Sequence, residues 1–170
     1  SAMLRFKNYA MEDHDQFKEY IGKPLADIEM TAIDGKKIKL SELKGKKVVL
    51  DFWATWCGPC KMEIPHFIEL TGKYKDQLMI IGISDEPENV LKEFAQDKSI
   101  NYAIVSSADL RLPEPFNMVF SYPTTFFVDK NGILTKVLNG YHELEDLEKY
   151  SMAEDYQEPI AADPNAQADA

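Results

Sequence analysis

The sequence predicts an α/β domain built on a central mixed β-sheet that is flanked by helices. Two apolar runs, at 47–53 and 78–83, have the continuous hydrophobicity of strands buried on both faces, and a segment of helical periodicity follows each. Strands and helices that alternate in this way form parallel strands joined by right-handed crossovers. A turn signal at 129–132 separates two later apolar segments and adds an antiparallel hairpin, so the predicted sheet is mixed.

The elements before the central strand are short. A helix is predicted over 11–20, where a following glycine and proline would end it. Apolar residues alternate with other residues on either side of Asp34-Gly35, a turn dipeptide that accepts positive φ, so 28–40 is predicted to be a β-hairpin. The apolar run at 47–53 then forms the strand that leads to the most informative motif of the chain.

After this strand, a helix is predicted over 59–74. Pro65 lies inside it and should remove one backbone hydrogen bond and kink the helix. A strand at 78–83 and a second helix follow, with Asp85 as the predicted N-cap. The apolar face of this second helix is predicted to comprise Val90, Leu91, Phe94 and Ala95. The remaining predicted elements are strands at 102–105, 124–129 and 133–138 and a final helix at 143–150.

The two cysteines of the chain, Cys57 and Cys60, stand where the strand at 47–53 gives way to a helix. In a Cys-x-x-Cys motif the two sulfurs are close enough to form a disulfide when the first cysteine begins the helix, and Pro59 suits the first helical position. The exposed sulfur of Cys57 would face the positive end of the helix dipole, which lowers its pKa. Cys57 is therefore the predicted nucleophile and Cys60 the resolving thiol.

The surrounding residues closely resemble the thioredoxin family. Its active-site signature is matched by Trp56-Cys57-Gly58-Pro59-Cys60-Lys61. Asp51 and Pro65 stand where the family keeps a buried carboxylate and a helix-kinking proline. Far downstream, the segment 121–127, which contains Tyr122, Pro123 and Thr124, resembles the cis-proline loop that faces the disulfide and binds substrate backbone. The resemblance covers roughly residues 20–150.

Three further features resemble the extracytoplasmic, TlpA/ResA-like branch of thiol-disulfide oxidoreductases. They are Glu63, the segment inserted between 84 and 108, and the N-terminal hairpin. The resemblance implies a thioredoxin fold with an N-terminal β-hairpin extension and an inserted strand and helix. It also implies a periplasmic or extracytoplasmic location, with a membrane anchor upstream as one option, while the single cysteine pair leaves a cytoplasmic location open.

The activity implied by the resemblance is reduction of protein disulfides, with cytochrome c maturation as one role of this branch. The residues assigned to catalysis are Cys57, Cys60, Asp51 and Glu63. Those assigned to substrate contact are Trp56, Gly58, Pro59, Tyr122, Pro123 and Thr124. No metal is expected, and no cofactor beyond the redox-active Cys57–Cys60 disulfide. The expected partners are disulfide-containing proteins and a membrane or soluble electron donor, and the protein is expected to be a monomer.

The two carboxylates assigned to catalysis are candidates for the proton that Cys60 must lose. Asp51 lies among apolar neighbours, and the next strand, 78–83, contains no lysine to pair with it, so burial should raise its pKa. Glu63 follows Cys60 by three residues and lies within about 60° of its helical face. It is either a second proton-handling group or an exposed acid in the first turn, favoured by the helix dipole.

Several alternatives remain open. The cysteines could be inert buried thiols or zinc ligands, although only His66 lies near them and zinc needs about four ligands. A thiol peroxidase would carry Pro-x-x-x-Thr-x-x-Cys, whereas Trp53-Ala54-Thr55-Trp56 precedes Cys57 here. A copper carrier would need three residues between its cysteines, and a non-catalytic module would be expected to have lost one cysteine. A disulfide-forming oxidant or isomerase uses the same motif, and Pro123 could be an ordinary trans-proline.

Composition fits one compact domain, because 170 residues with 45% hydrophobic content can fill a single core. Residues 1–22 are interpreted as an N-terminal extension that begins with a cloning scar at 1–3, and 23–150 as the thioredoxin-like domain. Residues 151–170 are predicted to be an acidic, flexible tail, since nine acids but a single base lie from Glu143 onward. The net charge of -10 argues against a nucleic-acid partner.

Overall fold

The computed structural model describes residues 16–160, which form a five-stranded mixed sheet, a separate two-stranded hairpin and three α-helices. The strands are β1 (Glu29–Thr31), β2 (Lys37–Lys39), β3 (Lys47–Phe52), β4 (Leu78–Ser84), β5 (Ala103–Ser106), β6 (Thr124–Val128) and β7 (Leu134–Asn139). The helices are α1 (Gly58–Lys73), α2 (Glu88–Asp97) and α3 (Leu144–Ser151). None of the helices in this part of the chain has the length and apolarity needed to cross a bilayer.

The five-stranded sheet has the order β5-β4-β3-β6-β7. Strands β3, β4 and β5 are parallel to one another, whereas β6 pairs antiparallel with β3, and β7 antiparallel with β6. The predicted mixed sheet, its closing hairpin and the separate N-terminal hairpin of β1 and β2 are thus confirmed. Because β3 is central, the segment that follows it emerges from the middle of one edge of the sheet.

The side chains of β3 alternate between the two faces of the sheet. Leu50 lies in a cluster with Met30 of the hairpin and Phe126 of β6. Val49 lies in another cluster with Phe67 of α1 and Leu147 of α3. Strand β3 is therefore buried on both faces, as its continuous apolar run predicts.

Two details of α2 differ from the prediction. The N-cap is Pro87 and no side chain caps the helix, so the prediction of Asp85 as the cap is wrong. Val90 is 38% exposed, so it does not share the burial of Leu91. The helix starts later than predicted because the chain stays extended through Pro87.

Only the end of the first predicted helix, 11–20, lies within the described residues. It forms a short 3-10 turn at Lys18–Tyr20, and the rest of that prediction, with His14, lies outside the described residues. The turn follows Phe17, which is 2% exposed and packs edge-on against Phe126 at a centroid distance of 5.2 Å. This contact fixes the N-terminal segment on the face of the sheet that carries the hairpin.

Gly82 of β4 lies beside Trp53, the residue that follows β3. A Cβ atom at Gly82 would lie 2.8 Å from Nε1 of Trp53 and 2.9 Å from Cδ1 of Ile104. Real Cβ atoms almost never come so close to a neighbour. The missing side chain therefore makes room for the indole, which packs against the backbone of β4.

The chain after α3 contacts the domain again. The N–H of Tyr156 donates a 2.9 Å hydrogen bond to Oδ2 of Asp129, a buried acid in the turn between β6 and β7. The Tyr156 ring lies against Gly22. No helix or strand forms over 152–160, although part of this segment, which the sequence assigns to the tail, is docked on the domain.

Candidate active site

Cys57 is the N-cap of α1, at the point where the chain has left the central strand. Its backbone is extended, with φ -88° and ψ 112°, and its Sγ accepts a 3.3 Å hydrogen bond from the N–H of Cys60. Pro59 lies in the first turn, where its missing N–H leaves no helical hydrogen bond unmade. The Cα atoms of Cys57 and Cys60 are 5.3 Å apart and their sulfurs form a disulfide. The predicted helix start and pairing are confirmed.

The disulfide is less exposed than the sequence predicts. Cys57 is 5% exposed to solvent and Cys60 is 1% exposed. The expectation of an exposed Cys57 sulfur is therefore wrong for the disulfide form. Both cysteines lie in a packed cluster with Trp53 and Ile64. The adjoining Trp56, in contrast, is 71% exposed. Trp56 is therefore exposed on the surface of the redox motif, whereas both cysteines are buried.

The Tyr122–Pro123 peptide bond is cis, so the alternative of an ordinary trans-proline is wrong. The Tyr122 ring lies 6.0 Å from that of Trp56, which places this loop beside the redox motif. The carbonyl of Pro123 accepts a 2.8 Å hydrogen bond from the N–H of Gly140. The hydroxyl of Thr124 forms a hydrogen bond within the protein, and the whole residue is 1% exposed. The structure thus brings Trp56 and Tyr122 together, while contact with substrate stays a prediction for this loop.

Asp51 lies near the end of β3 and is 2% exposed. It faces Thr125 across the antiparallel ladder, and it has no salt-bridge partner among residues 16–160. Burial, and secondarily the charge of Glu63, raise the pKa of Asp51 well above its usual value. The predicted buried carboxylate with a raised pKa is therefore present.

Glu63 is 1% exposed, so the alternative of an exposed first-turn acid is wrong. Its Oε2 accepts a 2.9 Å hydrogen bond from the backbone N–H of His142, while its Oε1 has no hydrogen-bond partner within the described part of the chain. Burial raises the pKa of Glu63 to about 7, and the hydrogen bond from His142 opposes that rise. A carboxyl group that titrates near neutrality lies one helical turn beyond Cys60.

Some site residues escaped the sequence prediction. Tyr102 lies close enough to both acids that their charges, after burial, raise its pKa well above its usual value. His142 contacts Glu63 through its backbone N–H, and because almost any residue type can supply that group, the sequence carries no signal for this contact. His66, the one histidine near the cysteines in the sequence, forms a 2.9 Å hydrogen bond with the hydroxyl of Tyr141. No group of three or more His, Cys, Asp or Glu residues in the described ranges could hold a metal ion.

Comparisons with known proteins agree with this geometry. A model of the AhpC/TSA family matches residues 21–137. The thiol-disulfide oxidoreductase ResA of Bacillus cereus is 36% identical over 138 residues, covering 80% of this chain and 79% of that protein. The thioredoxin-like protein YneN of Bacillus subtilis is 30% identical over 132 residues, covering 75% and 76%.

Solved structures give the same picture. A putative thiol:disulfide interchange protein DsbE from Chlorobium tepidum superimposes with a TM-score of 0.69 at 26% identity, covering 76% of this chain and 94% of that one. The exposed lipoprotein thioredoxin of Streptococcus pneumoniae gives a TM-score of 0.64 at 30% identity, covering 74% and 98%. Fold and site together define a thiol-disulfide oxidoreductase of the thioredoxin class. The chain belongs to the AhpC/TSA family and, within it, to the ResA-like thiol-disulfide oxidoreductases.

Proposed function

We propose that the protein reduces disulfide bonds in other proteins outside the cytoplasm. The observation that carries this proposal is a pair of buried acids at the redox site. Glu63 lies one helical turn after Cys60, and its charge adds to the effect of burial in raising the pKa of Asp51. Both are nearly inaccessible to water, with exposures of 1% and 2%.

The two acids favour the reducing direction. A strongly oxidising disulfide owes its potential to a reduced form that is stabilised as a thiolate. The helix N-terminus stabilises a thiolate at Cys57, but a negative charge on Glu63 or Asp51 opposes one at Cys60. The acids therefore limit how far thiolate formation stabilises the reduced pair, which favours the disulfide and makes the dithiol a better electron donor.

The chemistry then follows in two exchanges. The thiolate of Cys57 attacks one sulfur of the substrate disulfide, forms a mixed disulfide and releases the other substrate sulfur as a thiolate. Cys60 gives its proton to Asp51 or Glu63 and attacks Sγ of Cys57. This step closes the Cys57–Cys60 disulfide and releases the second substrate thiolate. The substrate gains two electrons, and a donor protein must return two electrons to the enzyme.

The setting is proposed from the relatives. One structural neighbour is an exposed lipoprotein thioredoxin, and several sequence relatives are ResA proteins. We propose a location outside the cytoplasm and, as the physiological role, cytochrome c maturation, which TlpA/ResA-like reductases often serve. The electron donor would then be a membrane protein, because no soluble reductant pool maintains thiols in that compartment.

Equilibration of the purified protein with glutathione tests the direction. We expect a reduction potential of about -200 to -300 mV, and a value near -120 mV would make the protein an oxidant instead. Reduction of insulin disulfides should be catalytic, whereas turnover of hydroperoxide would favour the thiol peroxidase alternative. Stoichiometric binding of copper or zinc by the dithiol form would favour a metal carrier.

A further inference from the structure

Glu86, in the connection between β4 and α2, holds a residue of the loop that carries the disulfide. Its Oε1 accepts a 2.7 Å hydrogen bond from the backbone N–H of Thr55, and its Oε2 accepts one of 2.5 Å from the Thr55 hydroxyl. Thr55 lies two residues before Cys57. A single carboxylate thus binds both the backbone and the side chain of the redox loop.

Glu86 is itself fixed to the ends of two strands. Its Oε1 also accepts a 2.8 Å hydrogen bond from the hydroxyl of Ser84, and the backbone N–H of Glu86 donates a 3.2 Å hydrogen bond to Oγ of Ser84. Its carbonyl accepts a 2.6 Å hydrogen bond from the hydroxyl of Ser106. Ser84 ends β4 and Ser106 ends β5, so the contact with Thr55 ties the redox loop to the sheet.

We propose that Glu86 is a positioning residue for thiol-disulfide exchange, which acts through Thr55 to hold the turn at 54–57 in one conformation. That turn is closed by a 3.2 Å hydrogen bond from the N–H of Cys57 to the carbonyl of Ala54. When it is held, Sγ of Cys57 stays within reach of Cys60, and ring closure benefits from a high effective concentration of the two sulfurs. The proposal rests on exchange at this pair, and not on the direction of that exchange.

The position of Glu86 on the molecule agrees with this role. After burial, the charges of Asp85 and Glu86 raise the pKa of Tyr122. The Tyr122 ring lies in turn 6.0 Å from that of Trp56, the residue between Thr55 and Cys57. The carboxylate of Glu86 is therefore close to both the redox loop and the cis-proline loop, at the face where substrates are exchanged.

The experiment measures the equilibrium constant for formation of the Cys57–Cys60 disulfide in exchange with glutathione disulfide, together with the exchange rate. Glu86→Ala should lower the constant about tenfold, equivalent to about 30 mV for a two-electron couple. Glu86→Gln should stay within about twofold of the wild type, because an amide can still accept from the Thr55 N–H and donate to its hydroxyl oxygen. Thr55→Val keeps the backbone hydrogen bond and loses the hydroxyl, so about a threefold loss is expected.

Controls separate this proposal from a general loss of stability. Glu88→Ala removes an exposed acid in the first turn of α2, two residues after Glu86, and should leave the constant unchanged; within residues 16–160 its salt-bridge partner is Lys92 at 3.3 Å. Adding Thr55→Val to Glu86→Ala should cause no further loss, since both act through one contact. If Glu86→Ala does not fold, Thr55→Val and Glu86→Gln still test the contact, because only Thr55→Val should lower the constant by more than about twofold.

Two results would overturn the assignment. Glu86→Ala could equilibrate like the wild type, or Glu86→Gln could lose as much as Glu86→Ala, which would mean that the charge matters and the hydrogen bonds do not. Failure of the wild-type protein to exchange with glutathione would instead refute the proposed function. The two failures are therefore distinguishable.

Discussion

The backbone N–H of His142 donates a 2.9 Å hydrogen bond to the carboxylate of Glu63, a side chain of a different element that is 1% exposed. This bond favours the charged form of Glu63, yet burial outweighs it and raises the pKa from 4.5 to about 7. The balance has a consequence for stability. Between these two values the folded protein binds more protons than the unfolded chain, so the free energy of unfolding falls as the pH rises from about 4.5 to about 7.

Glu63→Gln should remove this part of the pH dependence. Relative to the wild type, the disulfide form of the variant should gain up to about 3 kcal/mol between pH 4 and pH 8, at about 1.4 kcal/mol per pKa unit. Urea unfolding at several pH values measures the difference. Glu69→Gln, at an exposed position of the same helix, is the control and should show no such gain. A difference between Glu63→Gln and wild type that stays constant with pH would contradict the assignment.

Asp51→Asn should slow substrate reduction at pH 7 by about tenfold or more, because general-base terms are worth roughly 10² to 10⁴. Glu63→Gln should slow it less, and the double variant should be non-additive because the acids are close. The rate of insulin reduction and the pH profile of Cys57 alkylation give the two readouts. If both single variants keep the wild-type rate and profile, the acids are structural and the proton goes directly to water.

Cys60→Ser should accumulate a mixed disulfide with substrate through Cys57, since the nucleophile remains and the resolving thiol is gone. Cys57→Ser should trap nothing, because Cys60 is 1% exposed and lies inside the helix. Mass spectrometry of the trapped adducts distinguishes the two variants. Equal adducts on both would mean that the roles of the cysteines are assigned wrongly.

Trp56→Ala should raise KM for a protein substrate severalfold while kcat changes little. The indole is 71% exposed beside the disulfide, so its removal takes away contact area with the partner and leaves the core intact. Stability should change by no more than about 0.5 kcal/mol, as is usual for surface positions. Steady-state kinetics and thermal unfolding measure both effects. Leu110→Ala, at a position 36% exposed in another loop, should leave KM unchanged; an equal rise there would remove the special role of Trp56.

The sequence predicts the parts of this protein that depend on local pattern. The continuous apolar run of β3 and the helix start at Cys57 follow from periodicity and from the preference of proline for a first turn. The burial of Asp51 follows from its neighbours along the strand. Contacts between distant segments leave no such pattern. The backbone N–H of His142 reaches Glu63 from 79 positions away, and no side-chain type is needed for it.

Glu86 is a second case in which the sequence does not predict a contact between distant segments, here one made by a side chain. In the sequence, Asp85-Glu86-Pro87-Glu88 has the composition of a helix start, with Asp85 as the predicted N-cap. In the structure, the carboxylate of Glu86 turns away from α2 to Thr55, which is 31 positions earlier in the chain. Local propensity identifies the helix correctly but cannot choose between two partners for one acid.

The close packing of Trp53 on Gly82 limits how this chain can vary. Any side chain at position 82 would displace an indole that lies directly upstream of the redox loop, since its Cβ would come within 2.8 Å of the ring. A residue smaller than tryptophan at position 53 would relieve the clash but leave a cavity where the indole was. A side chain at position 82 therefore requires compensating changes at both position 53 and position 104, because Cδ1 of Ile104 would lie 2.9 Å from the new Cβ.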